Sequence, residues 1–134
     1  MPSLRNAFSY QGRLARLPYF LLSLGIGIAA ALLVAAGGIL LERGHALPGW
    51  LLWLIALVLV FGAGSAIVVR RLHDLGQPGG HVVRLLILTV LAGAIDHSQT
   101  AALIALNVLL ALAGLALVLL PGQAGANAYG PPPG

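Results

Sequence analysis

Cysteine and lysine are both absent from this chain of 134 residues, and only 7% of its residues are charged. Without cysteine the chain can form no disulfide, no thiolate metal site and no cysteine nucleophile. A soluble domain of this length needs far more charge to cover its surface. Hydrophobic residues make up 60% of the sequence, which is typical of a protein whose surface is solvated largely by lipid.

The few charges are unequal in sign. All seven basic side chains are arginines, and only Glu42, Asp74 and Asp96 oppose them, which gives a net charge of +4. An excess of positive charge can indicate nucleic-acid binding, but the basic helix or aromatic-rich basic patch of such proteins is missing here. We therefore expect no nucleic-acid partner, and we assign the arginines to membrane topology and to anionic lipid headgroups.

Apolar segments separated by polar or Gly/Pro-rich turns predict one domain, an all-α integral membrane protein with a bundle of about four transmembrane helices. Residues 17–41 carry no charge over 25 positions, and a helix of that length, about 37 Å, exceeds the ~30 Å hydrocarbon layer. It is too long for the apolar core of a signal peptide, about 7–15 residues. The predicted units are a basic interfacial segment (1–16), membrane helices (17–41, 50–75, 81–95 and 101–120) and an irregular Gly/Pro-rich tail (121–134).

The third predicted helix is the shortest. Its apolar part, residues 82–95, would be only about 21 Å long, and Arg84 lies near its start. It crosses the membrane if Arg84 extends its guanidinium to the interface; otherwise it forms a re-entrant hairpin with the last helix. Asp96 and Gln99 between these helices resemble a capping box. In the last helix, Asn107 is expected to find a hydrogen-bond partner inside the bundle.

The distribution of arginines predicts which side of the membrane each loop faces. With four spans, only Arg43 lies on one side. The six arginines on the other side are Arg5, Arg13, Arg16, Arg70, Arg71 and Arg84. Since cytoplasmic loops are enriched in arginine and lysine, both termini should be cytoplasmic.

Polar chemistry is concentrated directly after the second apolar segment, where Gly76 and a following proline predict the end of a helix. Asp74 is spaced to pair with Arg70 or Arg71 on one helix face. In one interpretation these arginines are topology anchors and Asp74 is their local counter-ion. In the other, arginines of both basic segments converge on a lipid phosphate or on a partner's acidic segment, which the planar guanidinium binds well.

The second interpretation makes a structural prediction. Arg13 or Arg16 should lie within reach of Asp74 or of the carbonyls that end the second helix. The predicted binding residues are Arg13, Arg16, Arg70, Arg71 and Arg84.

Three motifs occur in order along the chain: an aromatic-x-Gly-Arg-x-x-Arg-x-x-Tyr pattern (10–19), an Arg-Arg-Leu-His-Asp-x-Gly pattern (70–76) and a Gly-x-Asn-x-Tyr-Gly-Pro-x-Pro pattern (125–133). The chain thereby resembles the bacterial inner-membrane family catalogued as domain of unknown function 805. The resemblance implies a bacterial cytoplasmic-membrane location and no established reaction. We assign six motif residues to a structural network: Gly12, His73, Asp74, Gly76, Asn127 and Tyr129.

Enzymatic chemistry finds little support in the sequence. His73 and Asp74 point about 100° apart on a helix, and no nucleophile motif accompanies them. Two histidines and Asp74 on one side make a thin metal-ligand set, so we expect no catalytic residue, metal or cofactor. We predict a non-enzymatic binding or scaffold protein whose arginine-rich cytoplasmic side contacts membrane lipids, favouring anionic ones, or a partner, either a second copy or another membrane protein. The alternative is a small transport or channel component, for which the mid-membrane polar candidates are Ser23, Ser65, Thr89 and Asn107.

Overall fold

Helices account for most of the fold. The structure, a computed structural model, describes residues 9–94 and 100–133. Their helical elements are α1 (Arg16–Glu42), α2 (Ala46–Val58), a π-helical segment (Leu59–Gly64), α3 (Ser65–Asp74), α4 (His81–Ala94) and α5 (Thr100–Leu119). These described residues contain no β-strand beyond an isolated bridge between Asn127 and Gly130. The predicted all-α class is confirmed.

Three of the helices are long and apolar enough to cross a membrane. They are α1, the continuous helix Ala46–Asp74, and Ala101–Leu119 in α5, with 27, 29 and 19 residues. At about 1.5 Å per residue the shortest is still about 28 Å long, close to the ~30 Å hydrocarbon layer. Many large apolar side chains on them are exposed, as expected where lipid covers the surface. These helices indicate a membrane-embedded protein, with α4 as a shorter apolar helix of 14 residues.

The second helix starts earlier than predicted. It begins at Ala46 rather than at residue 50, because Pro48 lies in its first turn, where a missing N–H costs nothing. Gly44, with a φ of +80°, lets the chain reverse between α1 and α2. A π-helical segment also interrupts the predicted α-helix.

Close backbone contact holds α1 against α2. A Cβ at Gly37 would overlap the Trp53 ring and lie 2.9 Å from the carbonyl oxygen of Gly49. Trp53 also donates a hydrogen bond from Nε1 to the carbonyl of Val34 at 3.1 Å. Small residues at such crossings let membrane helices approach closely, so these glycines set the spacing of the hairpin.

The Asp74 end of α3 is where the elements meet. In the described parts of the chain, α3 packs on α1, α4 and α5, whereas the backbone of α4 comes within 8 Å between Cα atoms of α3 and α5 only. A small buried cluster lies here, made by Leu14, Tyr19, Ile67, Leu72 and Leu117. The polar residues that end α3 therefore lie where the N-terminal segment, α1 and α5 converge.

The hydrogen-bond partner expected for Asn107 inside the bundle is not what the structure shows. Its amide nitrogen donates to the carbonyl of Leu103 in the same helix at 2.8 Å, and the side chain is exposed. A polar side chain can bond the carbonyl one turn back, so Asn107 needs no neighbouring helix, and that prediction is wrong. The predicted capping box of Asp96 and Gln99 lies outside the described residues.

Candidate functional site

Asp74, the last residue of α3, is the centre of a buried ionic cluster. Asp74 is 2% exposed. Arg13 approaches the oxygen Oδ1 with Nη2 at 2.9 Å and Nε at 3.1 Å, and Arg71 donates to Oδ2 from Nη1. The arginine side chains are 1% and 0% exposed. Burying three charges is costly unless every donor and acceptor finds a partner, so the remaining guanidinium N–H groups matter.

Arg71 uses its remaining donors on backbone carbonyls from two other elements. Its Nε donates to the carbonyl of Leu117 in the last turn of α5 at 2.7 Å, and its Nη2 donates to the carbonyl of Leu120. Its Nη1 also lies 3.4 Å from the carbonyl of Leu14. Carbonyls at a helix C-terminus lack partners within the helix and carry partial negative charge. Arg71 therefore joins α3 to the end of α5.

Arg13 holds the tail, residues 121–133, over the cluster. Its Nη1 donates to the carbonyl of Gly125 at 2.6 Å, and its Nη2 donates to the carbonyl of Gln123. The backbone of Gln123 in turn donates to the carbonyl of Asp74 at 2.9 Å. The tail is irregular, as predicted, but its position is fixed by Arg13, which lies more than 100 residues earlier in the sequence.

A second set of contacts fixes the tail to His73. The rings of His73 and Tyr129 stack with centroids 3.9 Å apart and planes 3° apart. Asn127 donates from Nδ2 to the carbonyl of His73 at 2.9 Å, and the His73 ring nitrogen Nδ1 lies 3.1 Å from the carbonyl of Gly12. The N-terminal segment and the tail thus both contact one histidine, at its ring edge and on its ring face.

Glycines make this close approach possible. Gly76 ends the helix with a φ of +73°, the left-handed conformation predicted for it. A Cβ there would overlap the side chain of Gln123, and a Cβ at Gly122 would overlap the Asp74 carboxylate. Any larger residue at Gly122 would push the tail away from the ionic cluster.

The predicted contact between the N-terminal segment and the end of α3 is confirmed, with Arg13 on Asp74. Of the two arginines spaced to pair with Asp74, Arg71 does so. The six predicted network residues lie together around this end of α3: Gly12, His73, Asp74, Gly76, Asn127 and Tyr129.

The other predicted binding arginines lie outside the ionic cluster. Arg16 is exposed and lines an open pocket of about 250 Å³ with Asp74, Pro121 and Pro133. Arg70 is half-buried, and its Nε has no hydrogen-bond partner among the described residues. Arg84 is exposed in the first turn of α4. The five arginines thus divide into two that are internally bonded and three that are not held by Asp74.

Several groups that contact this site could not be identified from the sequence around them. The carbonyls of Gln123 and Leu120 accept from arginines far away in the chain, and any residue type could supply them. The hydroxyl of Tyr10 lies 2.8 Å from Oγ of Ser65, an interaction between residues 55 positions apart. Only the glycine at 122, next to a proline that ends α5, hinted at a close approach.

The geometry of His73 and Asp74 does not match a general base with its orienting carboxylate. Asp74 directs both oxygens to arginines, and His73 contacts Gly12 and Tyr129. Within residues 9–94 and 100–133, no three His, Asp or Glu side chains cluster as metal ligands would. The site can therefore hold buried charged side chains in place, as it does for Asp74, Arg13 and Arg71.

Long apolar helices, with Arg13 and the tail folded over a buried Arg–Asp–Arg cluster, define the class, an all-α protein embedded in a membrane. A family model described as "Protein of unknown function (DUF805)" matches residues 7–131. The chain belongs to this family, and the resemblance seen in its three motifs is confirmed. Comparison with curated proteins and with solved structures gave no match.

Proposed function

We propose that this is a non-enzymatic protein of the bacterial cytoplasmic membrane that binds anionic lipid headgroups through an arginine-rich rim. The rim is the end of the bundle formed by Arg13, Arg16, Arg70, Arg71 and Arg84. The observation that carries the proposal is the charge balance there. Asp74 is the acidic residue placed among these five arginines, which leaves a surplus of four positive charges, each attractive to an anionic membrane surface.

The path of the chain supports four spans. The ends of α3 and α5 both lie at the rim, because Arg71 bonds the carbonyls of Leu117 and Leu120. α4 starts there too, just after the turn that follows α3. Since α5 is about 30 Å long and ends at the rim, its start lies on the opposite side. The described part of α4, 14 residues, covers about 21 Å of that distance.

The same path favours crossing over a re-entrant hairpin for α4. A hairpin that turned back inside the membrane would leave more of the distance to the start of α5 uncovered. Under the positive-inside rule, the rim then faces the cytoplasm and Arg43 faces the other side.

The structure suggests that the rim arginines have two different roles. Arg13 and Arg71 bond Asp74 and backbone carbonyls, so their donors are used internally. Arg16 and Arg84 are exposed, and an exposed guanidinium can bind a phosphate with two parallel hydrogen bonds. We assign headgroup contact to Arg16, Arg84 and Arg70, and we assign the structural role to Arg13 and Arg71.

Native mass spectrometry of the detergent-solubilised protein tests this proposal, with phosphatidylglycerol and phosphatidylethanolamine as the competing ligands. Wild-type protein should prefer phosphatidylglycerol. An Arg16→Gln/Arg84→Gln variant should lose about ten- to thirtyfold of that preference, because each arginine near an anionic surface contributes about 1 kcal/mol.

Arg43→Gln is the matched control, since Arg43 is also exposed but lies at the opposite end of α1. It should keep the preference of the wild type. Equal losses in the control and the rim variant would contradict the proposal. Wild-type protein without any preference would also contradict it and would leave the acidic segment of a partner protein as the ligand of the rim.

A further inference from the structure

A cavity of about 310 Å³ lies between α1, the second long helix and α4. Its volume falls within the range of about 300–1,000 Å³ found for small-molecule sites. Three hydroxyl side chains line it, Ser23 from α1, Ser65 from α3 and Thr89 from α4, and the rest of its lining is uncharged. Each wall of the cavity therefore contributes one hydroxyl.

These hydroxyls lie at a similar depth in the bundle. Ser23 follows the start of α1 by seven residues, Ser65 precedes the end of α3 by nine, and Thr89 follows the start of α4 by eight. All three are therefore about 10–14 Å from the rim, near the middle of a ~30 Å hydrocarbon layer. Hydroxyl groups at that depth need hydrogen-bond partners from the protein or from a ligand, because the lipid chains supply none.

The backbone around the cavity leaves room for a ligand. The π-helical segment Leu59–Gly64 ends directly before Ser65, and π-helical turns occur frequently at functional sites. A Cβ added at Gly27 or at Gly64 would meet nothing within 4 Å. Both glycines line the cavity, so the space in front of them is empty.

The cavity opens sideways. In the described residues α1 and α4 both border it, and no Cα atom of one helix lies within 8 Å of a Cα atom of the other. A molecule dissolved in the lipid can therefore enter between these two helices without passing the rim.

The hydrogen bonds already present limit the chemistry of the ligand. Thr89 donates its hydroxyl proton to the carbonyl of Leu85 at 2.8 Å, and Ser65 is bonded to its own helix and to Tyr10. A hydroxyl oxygen has two lone pairs, so Thr89 can still accept a hydrogen bond from a ligand. An ionised ligand would have no counter-charge in this lining.

We propose that this cavity binds an uncharged lipid that carries a hydroxyl group, taken up from the membrane between α1 and α4. The apolar walls would surround the chain of the lipid, and its hydroxyl would donate to Thr89. The site is separate from the rim and involves none of its arginines.

Photolabelling in proteoliposomes tests the proposal. The probes are a long-chain alcohol carrying a diazirine and the corresponding alkane, with labelled residues located by mass spectrometry. The alcohol should label the cavity walls on α1 and α4 about two- to tenfold more than the alkane, the contribution expected from one neutral hydrogen bond. Gly27→Leu should fill the cavity and remove this labelling.

Gly25→Leu is the matched control, because a Cβ at Gly25 also meets nothing within 4 Å yet Gly25 does not line the cavity. It should label like the wild type. Thr89→Val keeps the shape of the side chain and should abolish the preference for the alcohol, which decides the question even if Gly27→Leu fails to fold. Equal labelling by alcohol and alkane in the wild type, or equal effects of the two glycine variants, would overturn the proposal.

Discussion

At the scale of single residues, one carboxylate balances two buried guanidinium groups. Asp74 accepts from Arg13 on one oxygen and from Arg71 on the other. The same arginines satisfy carbonyls of the tail and of α5. Removing the carboxylate therefore affects the ion pairs first and the ordering of the two terminal segments second.

We expect Asp74→Asn to reduce the free energy of unfolding by about 3–5 kcal/mol, because it leaves two buried guanidinium groups without a counter-charge. Unfolding of the detergent-solubilised protein in SDS, followed by circular dichroism, measures the loss. Glu42→Gln, at an exposed acidic residue at the other end of α1, should stay within about 0.5 kcal/mol of the wild type. A similar effect of both substitutions would refute the structural role of Asp74.

Gly122→Ala tests how closely the tail approaches Asp74. A Cβ there would overlap the carboxylate, and overpacking of this kind costs about 1–3 kcal/mol. The comparison is Gly125→Ala in the same tail, where a Cβ would meet nothing within 4 Å. The two variants should differ in their unfolding midpoints in SDS. If both unfold like the wild type, the tail does not lie against Asp74 in solution.

At the scale of elements, the tail behaves as a packed part of the fold although it has no regular secondary structure. Arg13 holds its carbonyls, and the stacked pair of His73 and Tyr129 anchors its far end. These contacts join segments that are far apart in the sequence.

A double-mutant cycle of His73→Ala and Tyr129→Ala should give a coupling energy of about 0.5–1.5 kcal/mol, the amount expected for a stacked aromatic pair. The cycle removes the contribution of the hydrogen bond between His73 and Gly12, since that bond is lost equally with and without Tyr129. Unfolding in SDS again supplies the four free energies. Additive single effects would mean that the rings do not interact.

The helices and their ends also show which parts of the fold can be predicted from sequence patterns. Apolar runs without charge predicted the helices, because hydrocarbon thickness dictates their length, and Gly76 marked the end of α3 correctly. The π-helical segment could not be predicted, since a helix that is apolar all round offers no periodicity to break. Charge predicted that Arg13 or Arg16 would reach Asp74 or the carbonyls that end the second helix. The carbonyls of Gln123 and Leu120, in contrast, carry no signal in their side chains.

At the scale of the whole molecule, the arrangement of the helices predicts an orientation in the membrane. Because the chain has no cysteine, single cysteines can report it with a membrane-impermeant maleimide. In intact spheroplasts, His45→Cys between α1 and α2 should be labelled, and Gln77→Cys after α3 should react only after lysis. Both positions are exposed. Labelling of Gln77→Cys in intact spheroplasts would reverse the orientation and place the arginine-rich rim outside the cytoplasm.

The covering of Asp74 by Arg13 and by the tail has a consequence for biosynthesis. Gln123 follows Asp74 by 49 residues, so the carboxylate and Arg71 leave the ribosome well before the carbonyls that complete their surroundings. In a nascent chain interrupted before residue 121, the helices could insert, but the ionic cluster around Asp74 would lack the tail that covers it. The buried cluster around Asp74 therefore gains its last partners only after Gln123 and Gly125 have been made.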